Sequence, residues 1–189
     1  KDMLKKYSAK EEIDAQGKAI YPGFYDAHAH SFMLADLLDQ VDLAGSKSFT
    51  EVILKLQDYQ KAYPEKKWII GGGWDQNLWA DKQFPTKDSL DKYFPETPVY
   101  LSRVDYHAAV VNSKALAIAQ LDSAYTVEGG LISIDSLGLP NGLLVDNAMP
   151  LVQKYIPLPE DNERLITLKK AQDSLLSVGL TSIVDAGLS

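Results

Sequence analysis

The chain holds three histidines, and two of them stand in the run Asp26-Ala27-His28-Ala29-His30. Apolar and polar residues alternate through this run, which predicts a strand over 24–30, and on a strand the residues i, i+2 and i+4 share one face. Asp26, His28 and His30 therefore point the same way. Two neutral imidazoles on one face can reach a single cation, and imidazole is a preferred ligand of zinc and related divalent metals. The competing reading is a pair of half-exposed strand histidines with no ligand. Other chemistries fare worse. The absence of Cys removes thiolate ligands, disulfides and thiol catalysis together, while leaving the compartment open. Gly71-Gly72-Gly73 follows an apolar run but carries no Lys-Ser/Thr or GxGxxG pattern for a phosphate cradle. No GxSxG elbow supports a serine nucleophile.

The elements that must position these residues follow from periodicity. Ser48 and Glu51 have capping-box spacing ahead of Val52, Ile53, Leu56, Tyr59 and Tyr63, which recur at helical intervals. Residues 66–73 predict a buried strand ended by glycines, and 99–104 and 108–111 two more. Between Trp74 and Pro98 the chain is rich in Pro, Asp and aromatics, with a short helix expected over 87–93. Asn112 or Ser113 caps a short apolar helix. Residues 129–145 carry two alternating runs around a Gly/Pro/Asn turn, the pattern of a hairpin. Pro157 and Pro159 introduce the longest helix, over 160–177, with Leu165, Leu168, Ala171, Leu175 and Leu176 as its apolar stripe and Gly179 as its stop. Its acidic start, Glu160, Asp161 and Glu163, suits the helix dipole. A strand over 180–184 and the turn Asp185-Ala186-Gly187 follow.

Composition narrows the function classes. With 19 Lys+Arg against 26 Asp+Glu, the net charge of −7 lacks the basic excess that a phosphate backbone demands, so no nucleic-acid partner is expected. No apolar run approaches the roughly 18 to 20 residues that cross a bilayer, and the first dozen residues are too charged for a signal-peptide core. No membrane association is expected, and a cytoplasmic placement is the reading adopted, with an exported parent protein left open.

The motifs resemble a known family when taken in order. The run Gly17-Lys18-Ala19-Ile20-Tyr21-Pro22-Gly23-Phe24-Tyr25-Asp26-Ala27-His28-Ala29-His30 is similar to the first-strand signature of the amidohydrolase superfamily. Gly73-Trp74-Asp75, Pro85-Thr86 with Leu90-Asp91, Pro98-Val99, Arg103, Asp105 and His107, and Val111-Asn112-Ser113-Lys114-Ala115-Leu116 resemble the inserted segment of its family 3 branch, which contains N-substituted formamide deformylase and exoenzyme regulatory proteins. Gly129-Gly130, Gly138, Gly142-Leu143-Leu144 and Gly179 to Gly187 continue the match, so it covers nearly the whole chain.

The resemblance implies an α/β fold, namely a partial (β/α)8 TIM barrel (first strands only) of a metal-dependent hydrolase, carrying a large α+β insertion. A complete barrel takes about 200 to 250 residues, more than this chain has. On this reading residues 1–23 are a remnant of a β-sandwich and lead-in, 24–40 the first barrel strand and loop, 41–158 the inserted segment, and 159–189 a barrel helix with the second barrel strand. The chain is then the N-terminal portion of a longer enzyme, and its remaining metal ligands and general base lie on strands beyond it. The implied cofactor is a divalent metal, zinc in the first instance, and the implied substrate a small-molecule amide. His28 and His30 match the first-strand metal ligands. His107 and Asp75 are the catalytic candidates, His107 by lining the pocket or by hydrogen bonding to the reacting group, against the alternatives of a satisfied structural histidine and, for Asp75, a loop cap. Trp74 is a candidate pocket wall, against the alternative of core packing. Asp26, Asp146 and Asp185 complete the set. Asp146 falls where relatives carry Glu, as a carboxylate near the metal, and Asp185 ends a barrel strand, where a loop-initiating Asp is the plainer reading. The rival to a hydrolase is a non-catalytic binding or regulatory module with a vestigial His pair. A partial barrel leaves strand edges and apolar faces uncovered, so self-association, or completion by the remainder of the chain, is expected.

Overall fold

The computed structural model describes residues 5–122 and 125–187. The first four residues of the expected lead-in and the last two of the expected final segment lie outside them. The described chain is a mixed α/β structure with two sheets. The smaller is a parallel pair of β1 (Phe24–Ala29) and β8 (Leu180–Asp185), with Phe24 opposite Leu180 and Ala29 opposite Asp185. The larger has six strands in the order β2 (Val41–Asp42), β3 (Ile69–Trp74), β4 (Val99–Arg103), β5 (Ala108–Val111), β7 (Pro140–Asp146) and β6 (Gly130–Ile134). Strands β2, β3 and β4 run parallel, and the rest of the order is antiparallel.

Alternation sorts the side chains of the larger sheet onto two covered faces. Val99, Leu101, Ala108, Val110 and Leu143 pack with Val52, Ile53 and Leu56 of α2 (Phe49–Ala62) and with Leu90 of α3 (Lys87–Tyr93). Tyr100, Ala109, Val111 and Leu144 pack on the opposite face with Ala115 and Leu116 of α4 (Ser113–Ile118) and Val152 of α5 (Pro150–Gln153). Burial on both faces explains why Val99 to Arg103 and Ala108 to Val111 read as near-continuous apolar runs. A β2–α2–β3–α3–β4 crossover precedes the antiparallel half, and helices lie on both faces. The two-residue β2 is too short to show alternation, so the crossover was not legible.

Asn112 is the polar hub of this layer. It is fully buried and caps α4, its Oδ1 accepting from the amides of Ala115 at 3.1 Å and Val99 at 3.0 Å. Its Nδ2 donates to the carbonyls of Phe94 at 2.9 Å and Thr97 at 2.8 Å. One side chain thus satisfies the end of α3, the start of β4 and the start of α4. Gly142 is constrained differently. It has φ +96°, and a Cβ there would stand 2.4 Å from the Val111 carbonyl.

The smaller sheet is framed by α1 (Ser31–Leu38) and α6 (Asp161–Ser177), which pack on each other. Glu160 and Glu163 form a reciprocal capping box at the start of α6. The expected stripe on α6 is corrected in part: Thr167 and Ala171 are the buried residues, while Leu165 and Leu176 remain 65% and 49% exposed. Phe24, Tyr25, Met33 and Val184 are also exposed, so the two-stranded unit has little of its apolar surface covered. No helix of the described residues is long and apolar enough to cross a membrane.

Replacing Asn112 with Ala removes four hydrogen bonds and strands two carbonyls and two amides in the core. The expected loss is about 3 kcal/mol, measured as a lower urea midpoint at unchanged slope. An unchanged midpoint would show that the hub carries no net stability.

Candidate functional site

The alternation that defines β1 sets His28 and His30 at its C-terminal end. Their ring centroids are 5.1 Å apart in an edge-to-face arrangement, and both residues are exposed. Asp26 accepts the His28 amide on Oδ1 at 3.0 Å, which fixes the local backbone. His30 also opens α1, accepting the Leu34 amide on its carbonyl at 3.0 Å. Gly187 lies against the ring, where a Cβ would come within 2.9 Å of Nδ1. The space beside that nitrogen exists because the neighbour has no side chain. Two imidazole donors with clearance around them fit a divalent cation as part of its ligand set. Among the described residues, no group of three or more His, Asp or Glu is assembled to hold one.

Asp185 locks this end of the sheet. Its Oδ2 accepts the Ser31 amide at 2.8 Å and the Ser31 hydroxyl, and its Oδ1 accepts the Gly187 amide at 3.0 Å. The Ser31 hydroxyl, and after it the Gly187 amide, hold its carboxyl below the usual range. The carboxylate of β8 therefore caps the helix that begins at the end of β1, and Ala186 adds an amide to the Ala29 carbonyl at 2.8 Å. His30 itself offers no side-chain cap to α1. Sequence reading placed Asp185 at a strand end but gave no sign of this partner, because Ser31 lies 154 positions away.

The other candidates gather at the edge of the larger sheet where β3, β4 and β7 end. His107 Nδ1 meets Asp146 Oδ1 at 2.8 Å, and the backbones of the same two residues are joined by Asp146 N–H to His107 O at 3.0 Å. Tyr106 and Asp146 both adopt left-handed backbone, with φ of +60° and +46°. Non-glycine residues pay about 1–3 kcal/mol for such conformations, and they concentrate where geometry serves function. Arg103, absent from the sequence-based set as a site residue, is the centre of the group. It donates from Nε to Gln76 at 2.8 Å, pairs through Nη2 with Asp75 at 3.3 Å and through Nη1 with Asp105. Asp105 in turn accepts the His107 amide at 3.2 Å. Asp75 has a second task as the cap of the 3₁₀ turn Gln76–Leu78. Trp74 is fully buried, donates its indole N–H to the Leu101 carbonyl at 2.9 Å and packs on Trp79 and Phe84, which makes it a core residue in this structure. The structure thus joins His107 with Asp146, and joins Asp75 to them through Arg103. It does not gather Asp146 or Asp185 with the His28–His30 pair into a metal-holding group.

The hydrogen bond to Asp146, and then its charge, raise the His107 imidazole above its ordinary 6.5. A raised folded-state value means that the pair stabilises the fold fully below the ordinary imidazole range, and that this contribution fades as pH rises through the raised value. Histidine NMR titration is expected to place His107 above 6.5, and Asp146→Asn to return it toward that value. A wild-type midpoint at or below the ordinary one would refute the pairing. For Asp185, replacement by Asn is expected to speed amide hydrogen exchange selectively in the first turn of α1, with α2 unaffected as the internal control.

Residues 11–189 match the Amidohydrolase family. The chain is 35% identical over 158 residues to the protein YtcJ of Bacillus subtilis (strain 168), covering 82% of this chain and 30% of that protein. It is 31% identical over 184 residues to the N-substituted formamide deformylase of Arthrobacter pascens, covering 93% of this chain and 34% of the relative. An uncharacterized metal-dependent hydrolase from Pyrococcus horikoshii OT3 superposes with a TM-score of 0.62 at 28% identity, over 86% of this chain and 30% of that structure. The chain thus spans about a third of the length of these relatives. A match over nearly every residue, running through both the His28–His30 strand and the His107–Asp146 edge, places this chain in the amidohydrolase family.

Proposed function

We propose that this chain belongs to a metal-dependent hydrolase that cleaves an amide-type C–N bond in a small molecule. The observation that carries the proposal is the exposed His28–His30 pair at the C-terminal end of β1, held beside the end of β8 by the Asp185–Ser31 contact. In barrel enzymes that end of the strands is where the chemistry sits. The parallel β1–β8 pairing, the helix α6 leading into β8 and the uncovered faces of both strands support reading them as the first two strands of a (β/α)8 barrel. Residues 24–40 and 159–189 would then belong to the barrel, 41–158 to an insertion and 1–23 to the lead-in, with the remainder of the longer protein covering the exposed apolar surface.

His28 and His30 would hold a divalent cation, zinc by the preference of imidazole donors. Such a cation lowers the pKa of water toward neutrality and polarises a carbonyl, which is the chemistry that amide hydrolysis needs. The chain's own contribution is orientation. Alternation on β1 puts both imidazoles on one face, Gly187 keeps clear the space at His30 Nδ1, and Asp185 holds the helix that starts at His30.

The test uses the full-length protein, purified without added metal, for elemental analysis and hydrolysis of N-formyl and N-acyl amines. Wild type is expected to carry about one or more equivalents of a divalent metal and to hydrolyse such amides. His28→Asn and His30→Asn are each expected to lose metal and to reduce hydrolysis to background. Retained hydrolysis in the double variant would sink the proposal, and a metal-free, inactive wild type would favour a binding module with vestigial histidines.

A further inference from the structure

The seam between the two sheets contains a cavity that neither the His28–His30 pair nor the His107–Asp146 edge lines. Its volume is about 650 Å³, and its walls come from the end of α1, Tyr59 of α2, the start of β3, Gln153 of α5 and the first turn of α6. A cavity of that size takes a small organic molecule. Part of the lining is apolar: Trp68, Ile70, Ile156 and Leu158 belong to it, and Leu158, set between two prolines, is 82% exposed. Most of the rest is charged, with five carboxylates against three cations in a chain of net charge −7. Lys66 shows how these carboxylates treat an ammonium. Burial opposes its charge, yet the hydrogen bond and charge of Asp39, with the charge of Glu163, raise it above its ordinary value. Asp36 and Glu65 have no such occupant, since among the described residues neither has a salt-bridge partner. Lys67 and Arg164 are the other two cations, so the lining stays acidic overall.

A second unmet demand lies behind the apolar part. Tyr100 is 3% exposed, and its hydroxyl has no hydrogen-bond partner of normal geometry, although the Gln153 side chain faces it. Tyr100 is the register neighbour of Ile70, and both Ile70 and Gln153 line the cavity. Native structures leave few buried polar groups unsatisfied, and each one calls for an explanation. An occupant whose polar head turns the Gln153 amide toward Tyr100 supplies one. We propose that this cleft is a binding site for a small organic ammonium with an apolar body, its charge held at Asp36 and Glu65 and its body laid along Trp68, Ile156 and Leu158. An inorganic ion meets only the charged part of the lining, and an organic anion meets an excess of carboxylates. The inference does not rest on the hydrolase reading, because no residue of the cleft belongs to the His28–His30 end of β1.

The experiment uses the full-length protein with 2-phenylethylammonium as the probe, read by calorimetry and by amide hydrogen exchange. Binding with a Kd on the order of 0.1 mM is expected, weakening as salt is added. Exchange is expected to slow over residues 36–40, 65–70 and 153–164, which form the cleft. The anionic isostere 3-phenylpropionate and the bodiless ethylammonium are each expected to bind about tenfold more weakly or worse. Asp36→Asn and Glu65→Gln are each expected to weaken the probe about threefold, and together about tenfold. Leu158→Ser is expected to cost about threefold through lost apolar contact. All three positions are exposed, so an unchanged urea midpoint is expected to show that the variants fold. The His28→Asn/His30→Asn double variant is expected to bind the probe as wild type does. Loss of binding in that variant would assign the probe to the end of β1 and overturn the proposal. Equal binding of 3-phenylpropionate, a Kd unmoved in the Asp36→Asn/Glu65→Gln pair, or slowed exchange outside the cleft overturns it as well. So does the absence of binding at about 10 mM probe, roughly a hundredfold above the expected Kd.

Discussion

The pairing of β1 with β8 is the constraint on which the rest of this structure depends. Two strands separated by most of the chain run parallel, from Phe24 opposite Leu180 to Ala29 opposite Asp185, with register shifts between Phe24 and Tyr25 and between Asp26 and Ala29. Parallel neighbours require a crossover, and here the crossover includes an entire six-stranded layer before α6 returns the chain. The register also determines which groups meet at the strand ends. It brings Asp185 to the first turn of α1 and Gly187 to the ring of His30, and a slip of one residue would turn every side chain of β8 to its other face.

The two sheets solve the burial problem in opposite ways. The larger is enclosed by helices on both faces, with Asn112, Trp74 and Trp79 making indoor hydrogen bonds that let polar atoms sit in an apolar layer. The smaller keeps Phe24, Tyr25, Met33 and Val184 in contact with water. Each such side chain, about half covered already, forgoes about 1 kcal/mol that full burial would supply, a drive toward any surface able to cover it. Division of labour follows from this contrast. The enclosed layer is stable enough to hold a strained edge at Tyr106 and Asp146, and the exposed pair carries the metal-ligand candidates.

Much of this was legible in the sequence, for physical reasons that differ by element. Strands β4 and β5, the helices over 87–93 and 161–177, and the hairpin of β6 and β7 follow local periodicity and turn chemistry, and each appears within a residue or so of its expected span. The helix α1 was not legible, because its cap comes from Asp185 rather than from a neighbour in sequence. For the candidate site, residue type and spacing identified His28 and His30, and the family resemblance added His107 and Asp146, but neither told which of them meet. Contact between His107 and Asp146 depends on the order β5-β7 in the sheet, which no local signal encodes. Arg103 was visible only as one residue of a familiar run, since its importance lies in three partners drawn from two strand ends. Trp74 shows the opposite limit, where a residue beside a catalytic candidate serves the core.

Lys66 gives the long crossover an unexpected economy. Its ammonium lies 3.0 Å from Asp39, at the end of α1, and 3.5 Å from Glu163, in the first turn of α6. The points where the chain departs toward the larger sheet and where it comes back are therefore within reach of one side chain. Once that sheet has folded, β1 and β8 no longer search across the full contour between them. They close an effective loop made only of α1, α6 and the short links beside them. Because closure entropy grows with the logarithm of loop length, the saving is modest, on the order of 1 kcal/mol. The enclosed layer thus holds the two ends of the exposed strand pair near one another.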